Sequence, residues 1–381
     1  MNDQNIVEQP SQTSWESFLE SVHSPLPRLR EMAIFELPAW AESGYEVGDI
    51  LNLALKDSDS VVVRAAAIIT GRLKKNSEDI LRALETKLSI DDDLLRRTIV
   101  TTLVRLGIPA IPILMKLLGD RDAFIRRFVA LAFEQLGEPA VDPLVEALRD
   151  KLLRRAAASI LVQIGKPAVS KLIPKLECDD FEVRFSVIDI LEQIGPIVVP
   201  TLIEQIKSGK TPQEQGGDAL TRFGPDAVPE LIITMRDKEI GNRCWAAAIL
   251  VKIGQPAAPG LLSILMEGNA GTAYLASKAL VQIGVSAIPT LFQALGTTTK
   301  SVRWIVSNIL VQMGEEAIES LENGLLEIDP LVREASAHAL GEMGGSAWAA
   351  LPNLESALQD EVNSDVKIVL RQAIEKLRIF D

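Results

Sequence analysis

Few residues in this 381-residue sequence have the types and spacing that catalysis requires. The two histidines, His23 and His338, stand near opposite ends of the chain, so one monomer is not expected to bring them together on a metal ion. Cys178 and Cys244 form no CxxC pair, and neither a GxSxG nor an HExxH motif occurs. We therefore predict no catalytic residue, no metal site and no cofactor.

One stretch of the sequence partly resembles a phosphate-binding loop (P-loop) of nucleotide-binding proteins. The stretch EQIKSGKT, residues 204–211, ends like a P-loop but has Glu204 where that motif needs glycine, and it follows a predicted helix instead of a strand. The overlapping stretch 208–218 lengthens a turn and places Gly216 and Gly217 inside a predicted helix, where each glycine costs about 1 kcal/mol. A hinge, a change of curvature and weakened packing without function are equally good interpretations.

The predicted helices of this chain belong to a repeating segment that ends in glycine. Segments such as LVRLG, LVQIG and LVQMG recur at intervals of 28 to 30 residues, with glycines at 107, 137, 165, 195, 224, 254, 284, 314 and 344. After each glycine, a segment such as GIPAIPILMKLL predicts a first helix, helix A, with proline near its start. A polar turn and a second amphipathic segment, such as FIRRFVALAFEQLG, predict helix B with glycine as a left-handed cap.

Two amphipathic helices of this length cannot bury their apolar faces alone, so the pairs must stack. The predicted fold is all-α, a right-handed α-solenoid of about twelve stacked antiparallel helix pairs. Its predicted parts are a disordered N-terminus (1–13), irregular repeats that form a cap (14–90), regular 30-residue repeats (91–344) and a C-terminal capping repeat (345–381).

Charged residues follow the repeat at fixed positions. The ladder arginines stand eleven residues before seven of the nine marker glycines, with Gln213 and Ala273 at the other two, and an acid usually stands four residues earlier still. The arginines are Arg96, Arg126, Arg154, Arg184, Arg243, Arg303 and Arg333; the acids are Asp92, Asp122, Asp150, Asp180, Glu239 and Asp329, with Thr299 as an exception. The acid is expected to cap helix B, and the arginine to reach it or the acid of the next repeat. We favour a structural staple over a row of anion sites, because the acid accompanies nearly every arginine.

A second row lies one position after the ladder arginine, where +1 denotes that position. Helix B is predicted to bury positions −1, +3, +7 and +10, such as Val302, Val306, Leu310 and Met313, so +1, +5 and +8 share another face. The predicted partner-binding residues on that face are Arg97, Arg127, Arg155, Phe185, Tyr274 and Trp304, whose types are common at binding hot spots. The alternative is a second layer of core at +1. Trp245, at +2, is expected to pack against the next repeat.

The pattern PA…P, D-x-x-V-R and a terminal IG resembles HEAT repeats, and specifically the 30-residue HEAT-like repeats of phycobilisome (bilin) lyase proteins. It covers residues 90–381 closely. The resemblance implies a solenoid that binds proteins on its concave helix-B side, or a bilin lyase or chaperone that acts on a tetrapyrrole-bearing protein. The sequence has no His-Glu dipeptide, which supplies the iron ligands of the deoxyhypusine hydroxylase branch.

The net charge and the lengths of the apolar runs limit the kinds of partner expected for this chain. The net charge of −13 and a pI near 4.9 argue against nucleic acid, whose binding relies on neutralising phosphates, although a local basic patch remains open. No apolar run approaches the ~18 residues that span a membrane, and no secretory signal is visible, so a cytoplasmic protein is expected. The main hypothesis is a non-enzymatic protein-binding scaffold whose partner the sequence does not identify; bilin chemistry is the alternative, and a DNA-glycosylase-type groove ranks third.

Overall fold

The computed structural model describes residues 12–267, 269–297 and 299–380. Across these residues the regular structure is α-helix with short 3-10 segments, and none of them lies in a strand. The chain divides into two compact units, Met1–Ile194 and Gly195–Asp381, and the second begins at a marker glycine. Helix α1 begins at Gln12, inside the segment 1–13 predicted to be disordered; residues 1–11 lie outside the described residues.

In the N-terminal unit, odd-numbered helices are the A helices and even-numbered helices are the B helices. They are α1 (Gln12–Val22), α2 (Pro27–Glu42), α3 (Gly48–Leu55), α4 (Ser60–Leu73), α5 (Glu78–Lys87), α6 (Asp93–Leu106), α7 (Ile111–Leu117), α8 (Ala123–Leu136), α9 (Glu138–Ala147), α10 (Arg154–Ile164), α11 (Lys166–Leu172) and α12 (Phe181–Ile194).

The C-terminal unit continues the same alternation. Its helices are α13 (Val199–Lys207), α14 (Gln213–Phe223), α15 (Val228–Thr234), α16 (Ile240–Ile253), α17 (Ala258–Met266), α18 (Ala270–Ile283), α19 (Ile288–Thr297), α20 (Lys300–Met313), α21 (Glu315–Gly324), α22 (Pro330–Met343), α23 (Leu351–Asp360) and α24 (Ser364–Leu377). The described residues therefore form the predicted twelve helix pairs.

The core lies between stacked pairs. Each B helix contacts the next B helix within its unit, from α2 to α12 and from α14 to α24. The predicted core positions of α20 (Val302, Val306, Leu310 and Met313) are buried. Each fully buried aliphatic side chain of this kind contributes about 1.5–3 kcal/mol, so stacking stabilises helices of only 7 to 16 residues. The prediction of an all-α solenoid is confirmed.

The marker glycines have a backbone conformation that other residues rarely adopt. All nine have φ between 54° and 94°. Their ψ values lie between −125° (Gly224) and −170° (Gly195), so the conformation is not the left-handed helical cap that the sequence suggested. This backbone turn lets the next A helix begin within a few residues.

One stretch of the C-terminal unit, Ala270–Gly296, has the length and apolar composition of a membrane span, which the sequence analysis did not expect. It consists of α18 and all but the last residue of α19, joined by a 3-10 segment at Gly284–Ala287. Both helices pack against neighbouring repeats, and 39% of the apolar window is buried.

A candidate protein-binding surface on the B helices

The side chains at +1 point away from the core. In the N-terminal unit, Arg97, Arg127, Arg155 and Phe185 are exposed. In the C-terminal unit, Tyr274 is 60% exposed and Trp304 is 62% exposed. A second layer of core at +1 would bury such rings. The structure instead leaves them on the surface, where large apolar groups are costly unless a partner covers them.

Sequence reasoning missed a second exposed row, at or just before the start of six B helices. It consists of large apolar residues two or three positions before the ladder arginine: Leu94, Phe124, Leu152 and Phe181 in the N-terminal unit, and Ile240 and Leu331 in the C-terminal unit. Leu152 is 89% exposed. The signal was an apolar residue one or two positions after the capping acid, outside the helical period of the core. Because this row is three or four residues from +1, both rows share one face.

Side-chain contacts join the two rows in the N-terminal unit. The Cζ atom of Arg97 lies 4.7 Å from the centre of the Phe124 ring on the next B helix. Its Nη2 is 3.4 Å from Oδ2 of Asp122, which caps that helix. On α12 the rings of Phe181 and Phe185 are 6.3 Å apart. We call this surface, formed by Leu94, Arg97, Phe124, Arg127, Leu152, Arg155, Phe181 and Phe185, the N-terminal strip.

In the C-terminal unit the corresponding face contains a cavity of about 240 Å³ beside Trp304. Leu331, Ala335 and Val369 supply apolar walls from α22 and α24. Polar groups also line it: Lys300, Arg303, Ser307, Glu334 and His338. We call it the Trp304 cavity. Tyr274 contributes separately, with Nζ of Lys278 5.2 Å from its ring centre.

Most acids of the ladder cap the B helices. Glu239 stands at the N-cap of α16 without a side-chain hydrogen bond, and Asp150 lies ahead of α10, whose N-cap residue is Leu153. Asp92 accepts a hydrogen bond from the backbone N–H of Leu95 at 2.9 Å, and Asp122 accepts one from Phe124 at 2.8 Å. Asp150, Asp180 and Asp329 each bind the N–H two residues ahead, and Thr299 caps α20 through Val302. These bonds satisfy donors that a helix start leaves free.

The ladder arginines turn back toward their own repeat. Arg126 donates to the backbone carbonyls of Asp120 and Arg121, six and five residues earlier. Arg154, Arg184 and Arg333 also donate to carbonyls six residues earlier, and Arg303 to that of Leu295, eight earlier. Among the described residues, no ladder arginine pairs with the acid four positions before it. The ion pair predicted within helix B is therefore not formed. The arginines named above instead donate hydrogen bonds to backbone carbonyls between helices A and B or at the end of helix A.

Some arginines also join neighbouring repeats. Arg96 is buried and pairs with Asp120 at 2.6 Å, and Arg154 pairs with Glu182 at 2.9 Å. Arg333 binds Glu361 with two hydrogen bonds of 2.7 and 3.0 Å. Arg243 differs, since its Nε is buried without a hydrogen-bond partner in the described structure. The acid reached in the next repeat varies in position, which the fixed spacing did not predict.

Trp245 packs in the direction opposite to the prediction. Its Nε1 donates to the carbonyl of Gln213 at 3.2 Å, in the preceding repeat. Room for this ring comes from Gly217, where a Cβ would lie 3.6 Å from that nitrogen and 2.6 Å from Cδ1 of Ile249. The paired glycines are therefore sites of close packing.

Other chemistry is sparse. Within 12–267, 269–297 and 299–380, no group of three His, Cys, Asp or Glu residues could hold a metal ion. Cys178 is half-buried and Cys244 exposed, and both are free thiols. A larger cavity of about 430 Å³ lies by α21 and α23, with carboxylates that include Glu322 and Glu361. Arg333 lowers the pKa of Glu361 to about 2, so this carboxylate serves the junction between repeats.

Comparison with known proteins supports the repeat assignment. Residues 81–152 match the family model of HEAT repeats, which confirms the resemblance to HEAT-repeat proteins. No curated protein matches the chain by sequence.

Solved structures with similar folds include importin beta, with 14% identity and a TM-score of 0.35. That match covers 96% of this chain, which spans 62% of the length of importin beta. Human deoxyhypusine hydroxylase has 20% identity and a TM-score of 0.24 over 81% of this chain and 99% of its own. The complex of CpcE and CpcF of phycocyanin lyase from Nostoc sp. has 17% identity and a TM-score of 0.26, over 70% and 94%. These likenesses concern the fold alone.

Proposed function

We propose that this chain is a non-enzymatic scaffold that binds another protein through the exposed face of its B helices. The observation that carries the proposal is the pair of exposed rows, at the start of the B helices and at +1, on helices whose core face is buried. Arginine, tyrosine and tryptophan are enriched at binding hot spots, and contiguous apolar surface marks interaction sites.

The variation between repeats supports this function. The +1 position holds Arg127, Phe185, Cys244, Tyr274 and Trp304 in repeats that stack in the same way. A residue required for stacking would be repeated, as the marker glycines are. The fold therefore leaves +1 free, and its side chains can serve a partner.

The test is capture of partners from the source cell with wild type, Trp304→Ala and Arg127→Glu, followed by mass spectrometry. We expect each variant to lose partners retained by wild type. The matched controls are Trp348→Ala, which removes another half-exposed tryptophan outside the B helices, and Arg149→Glu, which reverses an exposed arginine in an A–B turn. An unchanged partner set in both B-helix variants contradicts the proposal, as does an equal loss in the controls.

A further inference from the structure

The N-terminal strip crosses four successive B helices. Helices α6, α8 and α12 each expose an apolar side chain in the first turn, and Leu152 is exposed two residues before α10 begins. One turn further on, the first three helices expose an arginine and the fourth exposes Phe185. In a helix, three residues advance the chain by about 4.5 Å. Two parallel rows, one apolar and one mainly cationic, therefore cross the helices side by side.

Contacts between helices keep these rows in register. Arg97 reaches from α6 to the ring of Phe124 and to Asp122 on α8. Arg154 reaches from α10 to Glu182 in the first turn of α12. Packed helices lie about 8–10 Å apart, so a ligand that follows the strip meets an arginine at intervals of about that length.

The charge of the strip specifies the ligand. Arg127 and Arg155 are exposed and form no ion pair within the part of the chain that the structure describes. Asp122 and Asp180 cap helices, Asp150 accepts the backbone N–H of Leu152, and Glu182 binds Arg154. Arg127 and Arg155 thus present exposed guanidinium groups without an ion-pair partner in the described structure, on a chain whose net charge is −13. A complementary segment carries carboxylates.

We propose that the N-terminal strip binds an extended acidic segment of a partner protein in the polyproline II conformation, with a carboxylate at every third residue and an apolar residue beside it. Polyproline II has three residues per turn and a rise of about 3.1 Å, so equivalent side chains recur about every 9 Å. This matches the spacing of packed helices. The proposal rests on the proposed scaffold function. It names the chemistry of the partner segment for the N-terminal strip and leaves the Trp304 cavity aside.

The test is fluorescence anisotropy of the full chain with a labelled peptide of about four Glu-Leu-Pro repeats, which extends over roughly 37 Å. A peptide of the same composition with its glutamates in one block tests the period. Arg127→Glu combined with Arg155→Glu tests the strip, and Arg149→Glu combined with Lys166→Glu makes the same change of charge elsewhere in the unit. We expect the strip variant to weaken binding by about ten- to a hundredfold, and the control by about twofold or less.

The contrary outcomes are distinct. Equal affinity for the periodic and block peptides overturns the polyproline II geometry, and equal losses in the two double variants overturn the site. Tighter binding of a single-stranded oligonucleotide than of the peptide shows a nucleic-acid site and also overturns the proposal. If no peptide binds while Trp304→Ala still removes captured partners, this inference fails and the scaffold function stands.

Discussion

Two junctions between repeats of the C-terminal unit hold their helices together by different means. Between α22 and α24, Arg333 binds Glu361, whose side chain is only 3% exposed. Glu361 also accepts the backbone N–H groups of Val362 and Asn363. This junction depends on a buried ion pair with nearly all its hydrogen-bonding groups engaged.

Between α14 and α16 the junction is mainly apolar. Gln213 replaces the ladder arginine, and Gly217 admits the side chains of Ile249 and Trp245. Two ion pairs join these repeats instead: Lys207, at the end of α13, binds Asp237 at 2.6 Å, and the more exposed Lys252 of α16 binds Asp218 of α14 at 3.0 Å. Lys207 and nearby hydrogen-bond donors lower the pKa of Asp237 to about 2.

The comparison shows that stacking requires filled space and satisfied turns, but not an arginine at one position. The repeat that has Gln213 in place of the arginine instead packs through Gly217 in its helix B and through Ile249 and Trp245 in the next. The stretch 208–218, for which hinge and weak packing were equally good interpretations, is thus a close-packed junction of a different composition.

The largest expected effect comes from breaking the charged junction. Arg333→Met leaves the Glu361 carboxylate buried without its cation, and we expect a loss of about 3 kcal/mol in the free energy of unfolding. Urea denaturation and hydrogen exchange of α24 measure it. Stability equal to wild type at neutral pH would show that the pair is dispensable.

The pH dependence provides a control for that variant. Glu361 has its pKa lowered from 4.5 to about 2, so in wild type its stabilising contribution is complete above about pH 4.5 and is lost as the pH falls toward 2. Without Arg333 the pKa of Glu361 rises toward or above its ordinary value. The difference between wild type and variant should therefore shrink as the solution is acidified.

A smaller effect is expected from overfilling the apolar junction. Gly217→Ala places a Cβ 2.6 Å from Cδ1 of Ile249, and we expect a net loss of about 1–2 kcal/mol, because overpacking exceeds the gain in helix propensity. Gly241→Ala is the matched control, since a Cβ there meets nothing within 4 Å. A loss of similar size at Gly241 would mean that close packing at Gly217 is not the cause.

The smallest effect is expected at the ladder arginine that lacks a complete set of partners. Arg243→Met removes a buried Nε without a hydrogen-bond partner, and the next repeat has Asn269 in place of the acid. We expect stability within about 1 kcal/mol of wild type. Thermal unfolding beside Arg333→Met measures the contrast, and equal losses would contradict the distinction between the two junctions.

The sequence predicted the helix pairs and the buried face of helix B because both depend on local periodicity. Val302, Val306 and Leu310 recur at helical spacing, and burial of one face follows directly. The capping acids were equally accessible, since a cap involves residues two or three positions apart. The exposure of Trp304 followed from the same period.

The remaining features depend on the path of the A–B turn, on rotamers and on contacts between repeats, which the length of the repeat does not determine. Whether Arg126 meets an acid or a backbone carbonyl depends on the path of the A–B turn and on its rotamer. Trp245 filled space beside a glycine 28 residues earlier, which no pattern within its own helix indicated. The first-turn row escaped notice because Leu94 and Leu152 lie outside the core period.

The bonds from ladder arginines to carbonyls of their own turn bear on how such a chain could have grown. Arg126 and Arg333 each secure a turn with atoms contributed by one repeat. The shape of the turn is thus encoded inside the segment between two marker glycines. A tandem duplication of that segment copies its cap, its turn and its closing glycine together, so a new copy needs only a compatible neighbour, and the side chains at +1 are free to diverge afterwards.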